Sequence, residues 1–153
     1  MLVSVSVVSC GSGSDHADTL PDVPLAELAS GTATSASSIK GPAVVNLWAT
    51  YCAPCRAEMP AFQAVSDDLA GAVRFIGVNE GDDAPSARKF LDEVGVSFDQ
   101  YLDEDGALSA ALGVTGLPAT VVVDEQSHVV TIHSGALDED EIRQLVATVT
   151  PRP

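Results

Sequence analysis

Two cysteines, Cys52 and Cys55, stand two residues apart in the run Trp48-Ala49-Thr50-Tyr51-Cys52-Ala53-Pro54-Cys55-Arg56-Ala57-Glu58-Met59-Pro60. A pair at this spacing can open and close as a disulfide. The flanking residues indicate where the pair sits. Upstream, Ala43-Val44-Val45-Asn46-Leu47-Trp48 is nearly continuous apolar sequence, the pattern of a strand covered on both faces. Downstream, Phe62, Val65 and Leu69 repeat at helical spacing. Cys52 is therefore expected at the carboxyl end of a strand and the amino end of a helix, where unpaired N–H groups and the helix dipole favour a thiolate over a thiol. A lowered pKa makes Cys52 the nucleophile. Cys55, one helical turn on, can then attack a mixed disulfide formed on Cys52 and release the partner.

Two other uses of the pair stay open. Cys52 and Cys55 can form an inert structural disulfide, or half of a zinc site, which needs two further Cys or His ligands. The third cysteine, Cys10, lies far off in the N-terminal tail, and His128 and His133 are an odd number of residues apart on one strand-like run, so they face opposite sides of it. The expectation is no metal.

The 153 residues, 46% of them hydrophobic, suffice for one globular core and not for two. A net charge of −15, with seven Lys and Arg spread along the chain, excludes an electrostatic nucleic-acid binder. The acidic runs Asp103-Glu104-Asp105 and Asp138-Glu139-Asp140-Glu141 are expected to be solvated faces.

Around the cysteine pair, strands and helices alternate. A helix over roughly 53–70 is followed by a buried strand at Val73–Val78. Asp83-Ala84-Pro85 opens a helix whose stripe is Ala87, Phe90, Leu91 and Val94, with Gly95 closing it. Phe98–Leu102 reads as a short edge strand, and Leu108, Ala111 and Leu112 as a brief helix stopped by Gly113. Ala119–Val123 and His128–His133 are joined by a four-residue turn, which only an antiparallel hairpin allows. Asp138-x-x-Glu141 starts a last helix with the stripe Ile142, Leu145, Val146 and Val149. Parallel βαβ followed by ββα gives an α/β fold, a mixed sheet flanked by helices.

At the N-terminus, Leu2 to Ser9 is apolar or small, and Val7-Val8-Ser9-Cys10 resembles the lipobox of bacterial lipoproteins. That resemblance implies lipidation of Cys10 and anchoring to a membrane, with the Gly/Ser run behind it as a tether. No Lys or Arg precedes Cys10, so either the true start lies upstream or the match is coincidental. The expected organisation is a truncated lipoprotein signal-like segment at 1–10, a flexible tether at 11–20 and a globular domain at 21–150.

The run Asn46-Leu47-Trp48-Ala49-Thr50-Tyr51-Cys52-Ala53-Pro54-Cys55, with Glu58 and Pro60 behind it and Gly116-Leu117-Pro118-Ala119-Thr120 much later, resembles the TlpA/ResA/DsbE-like branch of the thioredoxin superfamily. The resemblance covers about residues 21–150 and implies a thioredoxin fold. It also implies an N-terminal β-hairpin over Val23–Ser35 and a central βα insertion over 84–103. It makes Pro118 a cis-proline that sets the Leu117 backbone opposite the disulfide, ready to pair with an extended substrate. Glu58 becomes the group that tunes the cysteines' protonation, and Tyr51, which replaces the usual tryptophan, and Pro54 become partner contacts. Asn46 stands where cytoplasmic thioredoxins carry an aspartate, so Glu58 takes over that proton route; otherwise Asn46 is a hydrogen-bonded core amide. Pro60 bends the active-site helix, and Trp48 is packing.

The implied function is a thiol-disulfide oxidoreductase, membrane-tethered on the extracytoplasmic face of the cell membrane. It would be a reductase of the cytochrome c maturation type, acting on protein thiols or disulfides with a membrane redox donor or acceptor. It would use no cofactor beyond the redox-active Cys52–Cys55 disulfide and work as a monomer. The alternatives are a disulfide-introducing oxidase of secreted proteins and, from another class, a metal or haem-delivery thiol chaperone. Copper-delivery relatives of the fold generally need a wider cysteine spacing and a partnered histidine.

Overall fold

The computed structural model describes residues 19–69 and 71–150. The signal-like segment with Cys10, and most of the expected tether, lie outside them.

The strands are β1 (Pro24–Glu27), β2 (Ala33–Ser35), β3 (Ala43–Trp48), β4 (Arg74–Glu80), β5 (Asp99–Asp103), β6 (Ala119–Val123) and β7 (Val129–Ser134). The helices are α1 (Ala53–Asp68), α2 (Ala84–Val94), α3 (Ala107–Leu112) and α4 (Glu139–Val146). One seven-stranded sheet runs in the order β2-β1-β5-β4-β3-β6-β7. The pairs β3/β4 and β4/β5 are parallel, and β1/β2, β1/β5, β3/β6 and β6/β7 are antiparallel. The parallel pairs are joined by helical crossovers, α1 between β3 and β4 and α2 between β4 and β5, and the β1/β2 and β6/β7 pairs by tight turns.

β3 and β6 are buried along their whole length, as their unbroken apolar runs require. The two-residue period of β3 sends Ala43, Val45 and Leu47 to a core shared with Leu25, Leu108 and Leu112. Val44, Asn46 and Trp48 point the other way, under α1, α2 and α4, among Met59, Phe62, Phe90 and Ile142. Helix α1 buries Cys55, Glu58, Met59, Phe62 and Val65, and its outer face carries the exposed Pro60. Asp83 caps α2 by accepting from the Ser86 N–H at 2.7 Å, and Gly95 ends it in the left-handed region at φ 73°. Asp138 and Glu141 form a reciprocal capping box on α4.

Three expectations are corrected. β5 is not an edge strand: the β1–β2 hairpin, expected over Val23–Ser35 and found there, adds to its outer side. The 84–103 segment runs helix first, α2 then β5. Asp103 is not on a solvated face but buried, its carboxylate accepting from the Ala107 and Leu108 N–H groups at 2.9 and 2.8 Å at the start of α3. Buried carboxylates need such partners, and the free N–H groups of a helix start supply them.

Gly77 of β4 lies between Asn46 and Gln100 in the sheet, and the Gln100 amide lies over it to accept from Trp48 Nε1 at 3.0 Å. A methyl group at 77 would overlap that amide. Gly77→Ala is therefore expected to expel Gln100, leave the indole N–H unpaired and cost about 1–3 kcal/mol. Urea unfolding, with a shift in the emission of Trp48, checks it.

Candidate active site

Cys52 caps α1: its Sγ accepts the Cys55 N–H at 3.2 Å, and Pro54 occupies the first turn, where a missing N–H costs nothing. The two sulfurs are joined at 2.04 Å with Cα atoms 5.3 Å apart. The two cysteines differ in access. Cys52 keeps 7% of its surface exposed and Cys55 none.

The turn that presents Cys52 is held from outside its own segment. The Asp82 carboxylate accepts from the Thr50 N–H at 2.7 Å and the Thr50 hydroxyl at 2.6 Å. It also accepts from the Asn79 side-chain amide at 2.8 Å. The end of β4 thereby fixes the exit of β3. Trp48 packs, as expected, stacked on Phe90 with ring centroids 4.8 Å apart.

Glu58 follows Cys55 by nearly one turn, on the buried face of α1. A solvated helix glutamate is ruled out by its 3% exposure. Oε1 accepts from Asn46 Nδ2 at 2.8 Å and Oε2 from the Leu137 N–H at 2.9 Å. Burial pushes the carboxyl pKa up to about 7, and the Leu137 and Asn46 hydrogen bonds hold it from rising further. Asn46 Oδ1 and the Thr120 hydroxyl, cross-strand neighbours in this layer, have no protein hydrogen-bond partner.

A cleft of about 460 Å³ opens beside Cys52. Tyr51 to Pro54 form one wall and Val114 to Leu117 the other. Tyr51 is 72% exposed. The Leu117–Pro118 peptide is cis, and Pro118 is buried behind the half-buried Leu117. Tyr51, Cys52, Pro54 and Leu117 thus meet around one opening. Cys55 and Glu58 lie in the layer beneath α1, and Cys10 falls outside the described residues. Among the described residues, no group of three or more His, Cys, Asp or Glu side chains is gathered as a metal site, and no helix is long and apolar enough to cross a membrane.

Sequence reasoning missed Asp82, Glu80 and Ser109. The last two also line the cleft. The available signal was positional: Glu80 ends β4 and Asp82 follows it, at the strand ends where βαβ folds build their sites.

The Redoxin family model matches residues 15–148 of the chain. The chain is 29% identical over 108 residues to the thiol-disulfide oxidoreductase ResA of Halalkalibacterium halodurans, covering 70% of this chain and 61% of that protein, so less than two thirds of the relative's length is spanned. Among solved structures, it is similar to MTB DsbF in its mixed oxidized and reduced forms, with a TM-score of 0.76 and 31% identity over 86% of this chain and all (100%) of that one. It is also similar to a secreted Mycobacterium tuberculosis disulfide oxidoreductase homologous to E. coli DsbE, with a TM-score of 0.73 and 26% identity over 83% of this chain and 96% of that one. The mixed sheet with its flanking helices is the thioredoxin-like fold.

Glu58 ties stability to pH. Its folded pKa of about 7 exceeds the ordinary 4.5, so between these values the folded chain keeps a proton that the unfolded chain has released. The stability this proton confers is full below the lower value and is lost as pH rises through the higher. Gln fits the site: its oxygen can take the Leu137 N–H, and a turned Asn46 amide can accept from its nitrogen. Relative to Glu58→Gln, the wild type is expected to lose about 3 kcal/mol of stability between pH 4 and 8. Parallel urea titrations across that range check it.

Proposed function

The chain belongs to the Redoxin family, and on that premise we propose that it is a thiol-disulfide oxidoreductase that reduces disulfides in other proteins through Cys52 and Cys55. The observation that carries this is the unequal access of the two sulfurs: only Cys52 opens on a cleft, at a helix start, while Cys55 is wholly enclosed.

In the reduced chain, the Cys52 thiolate faces the Cys55 N–H and the amino end of α1, both of which stabilise negative charge on sulfur. It attacks one sulfur of a substrate disulfide. The Cys52–substrate bond forms, the substrate's own S–S bond breaks, and its other sulfur leaves as a thiolate that takes a proton from water. Cys55 then gives its thiol proton to the Glu58 carboxylate, one helical turn away. The Cys55 thiolate attacks Cys52 Sγ, closing the Cys52–Cys55 disulfide and expelling the second substrate thiolate, which is protonated in turn. Two electrons pass from the chain to the substrate. Glu58 borders a shallow depression with Ala57, Ala61, Ala136 and Leu137, by which its proton can return to solvent.

An extended substrate segment lies in the cleft and pairs with the Leu117 backbone, with Tyr51, Pro54 and Pro118 shaping the contact. The reducing direction rests on the resemblance of the cysteine and cis-proline motifs to the TlpA/ResA/DsbE-like branch, and suits substrates such as the haem-attachment cysteines of an apocytochrome c. The secreted neighbour and the lipobox-like run at Cys10 support a domain on the extracytoplasmic face, lipid-anchored and re-reduced by a membrane donor. The chain acts as a monomer, with the disulfide as its sole redox group.

Cys52→Ser is expected to abolish reduction of a protein disulfide, and Cys55→Ser to accumulate a mixed disulfide visible on a non-reducing gel. An active Cys52→Ser chain would sink the assignment. The midpoint potential of the pair in defined thiol buffers is expected near about −270 mV, and a value near −120 mV would make the chain an oxidase instead. With Glu58 as proton acceptor, release of the substrate from the mixed disulfide is expected to speed up as pH rises through about 7. In Glu58→Gln that rise should disappear.

A further inference from the structure

We propose that Glu80 selects substrates that carry a Lys or Arg side chain within two residues of the cysteine attacked by Cys52; this rests on the exchange function above and deepens it by naming a substrate class. Glu80 ends β4 and lines the same cleft as Cys52. It is the single charged residue among those lining that cleft, the rest being apolar, cysteine, glycine or hydroxyl-bearing. Charge recognition in the cleft therefore falls to it.

The carboxylate is held in place. Glu80 Oε2 accepts from the hydroxyl of Ser109, which is itself buried at 7% exposure. On the other side Gly106, at φ 66°, lies so close that an added Cβ would stand 3.0 Å from Glu80 Oε1. Glu80 is half-buried, yet none of the ion pairs among the described residues includes it; these join Arg56, Arg74, Arg143 and His128 to other carboxylates. Oε1 has no hydrogen bond of its own among those recorded for the described side chains, where Ser109 is the one partner of this carboxylate. A part-buried, positioned carboxylate with an unused oxygen is a ready partner for an ammonium or guanidinium group brought in by an extended segment. The overall charge of −15 acts in the same sense, drawing cationic segments toward the cleft and repelling acidic ones.

The test uses disulfide-bridged peptides identical except for Lys or Gln at each position from two residues before to two after the target cysteine. The reduced chain is mixed with each, quenched with acid and alkylated, and the rate constants are compared as a Lys-to-Gln ratio. At low ionic strength the wild type is expected to favour the best-placed Lys by roughly fivefold, a ratio that shrinks in high salt. In Glu80→Gln, which keeps an acceptor for Ser109, the ratio should fall to about one. A wild-type ratio near one at every position overturns the proposal, as does a salt-insensitive ratio or one that Glu80→Gln leaves intact. If the variant fails to fold, the position dependence on the wild type decides: a Lys preference confined to one or two positions is expected, and an equal preference at every position, as the overall charge would give, overturns the proposal. A wild type that reduces both peptides equally removes only the selection by Glu80. A wild type that reduces neither removes the oxidoreductase function itself.

Discussion

The carboxylate of Glu58 is the constraint around which the active-site layer is arranged. A carboxylate taken out of water costs several kcal/mol unless its oxygens find donors. Here the donors come from two separate elements, the Asn46 amide on β3 and the Leu137 N–H just before α4. Satisfying them fixes the rotation of α1 over the sheet and the approach of α4 to α1. The same burial that demands these donors leaves the carboxyl titrating near about 7 rather than in the usual acidic range. Packing and proton chemistry are thus set by one residue.

A second constraint keeps Cys52 in position. The turn between β3 and α1 has few hydrogen bonds of its own, and Asp82 beyond the neighbouring strand end adds two by accepting from Thr50, while Asn79 of β4 donates to the same carboxylate and holds it in place. Beneath it Trp48 is gripped by Phe90 on one side and Gln100 on another. The thiol is carried on a loop, but a loop anchored to the second and third strands of the parallel half. A site so held presents Cys52 from a braced turn rather than from a free loop.

Features governed by neighbours in the chain were legible in the sequence. The apolar run of β3, the Asp83 cap and Gly95 stop of α2, and the Asp138–Glu141 capping box all act within a few residues, and each is where the pattern puts it. The cysteine pair was legible because its spacing matches one turn of helix. The failures share a cause in long-range contact. Phe98–Leu102 reads as an edge because nothing local announces that β1, far earlier in the chain, will pair with it. Asp103 reads as solvated because the run Asp103-Glu104-Asp105 looks uniform, although only the first carboxylate meets the free N–H groups of α3. Glu80, Ser109 and Asp82 gain their place only when β4, α3 and the 50–52 turn come together in space. The family resemblance singled out Glu58 as the group beside the cysteines, but not its partner Leu137, 79 residues away.

The complete enclosure of Cys55 sets the stoichiometry of every covalent encounter. A dithiol with both sulfurs at the surface can capture two molecules at once and cross-link them. Of the two sulfurs of the pair, a foreign sulfur can reach Cys52 alone, so a covalent adduct on the pair is one-to-one. In the proposed exchange, release by Cys55 is an attack within the chain, first order in the adduct.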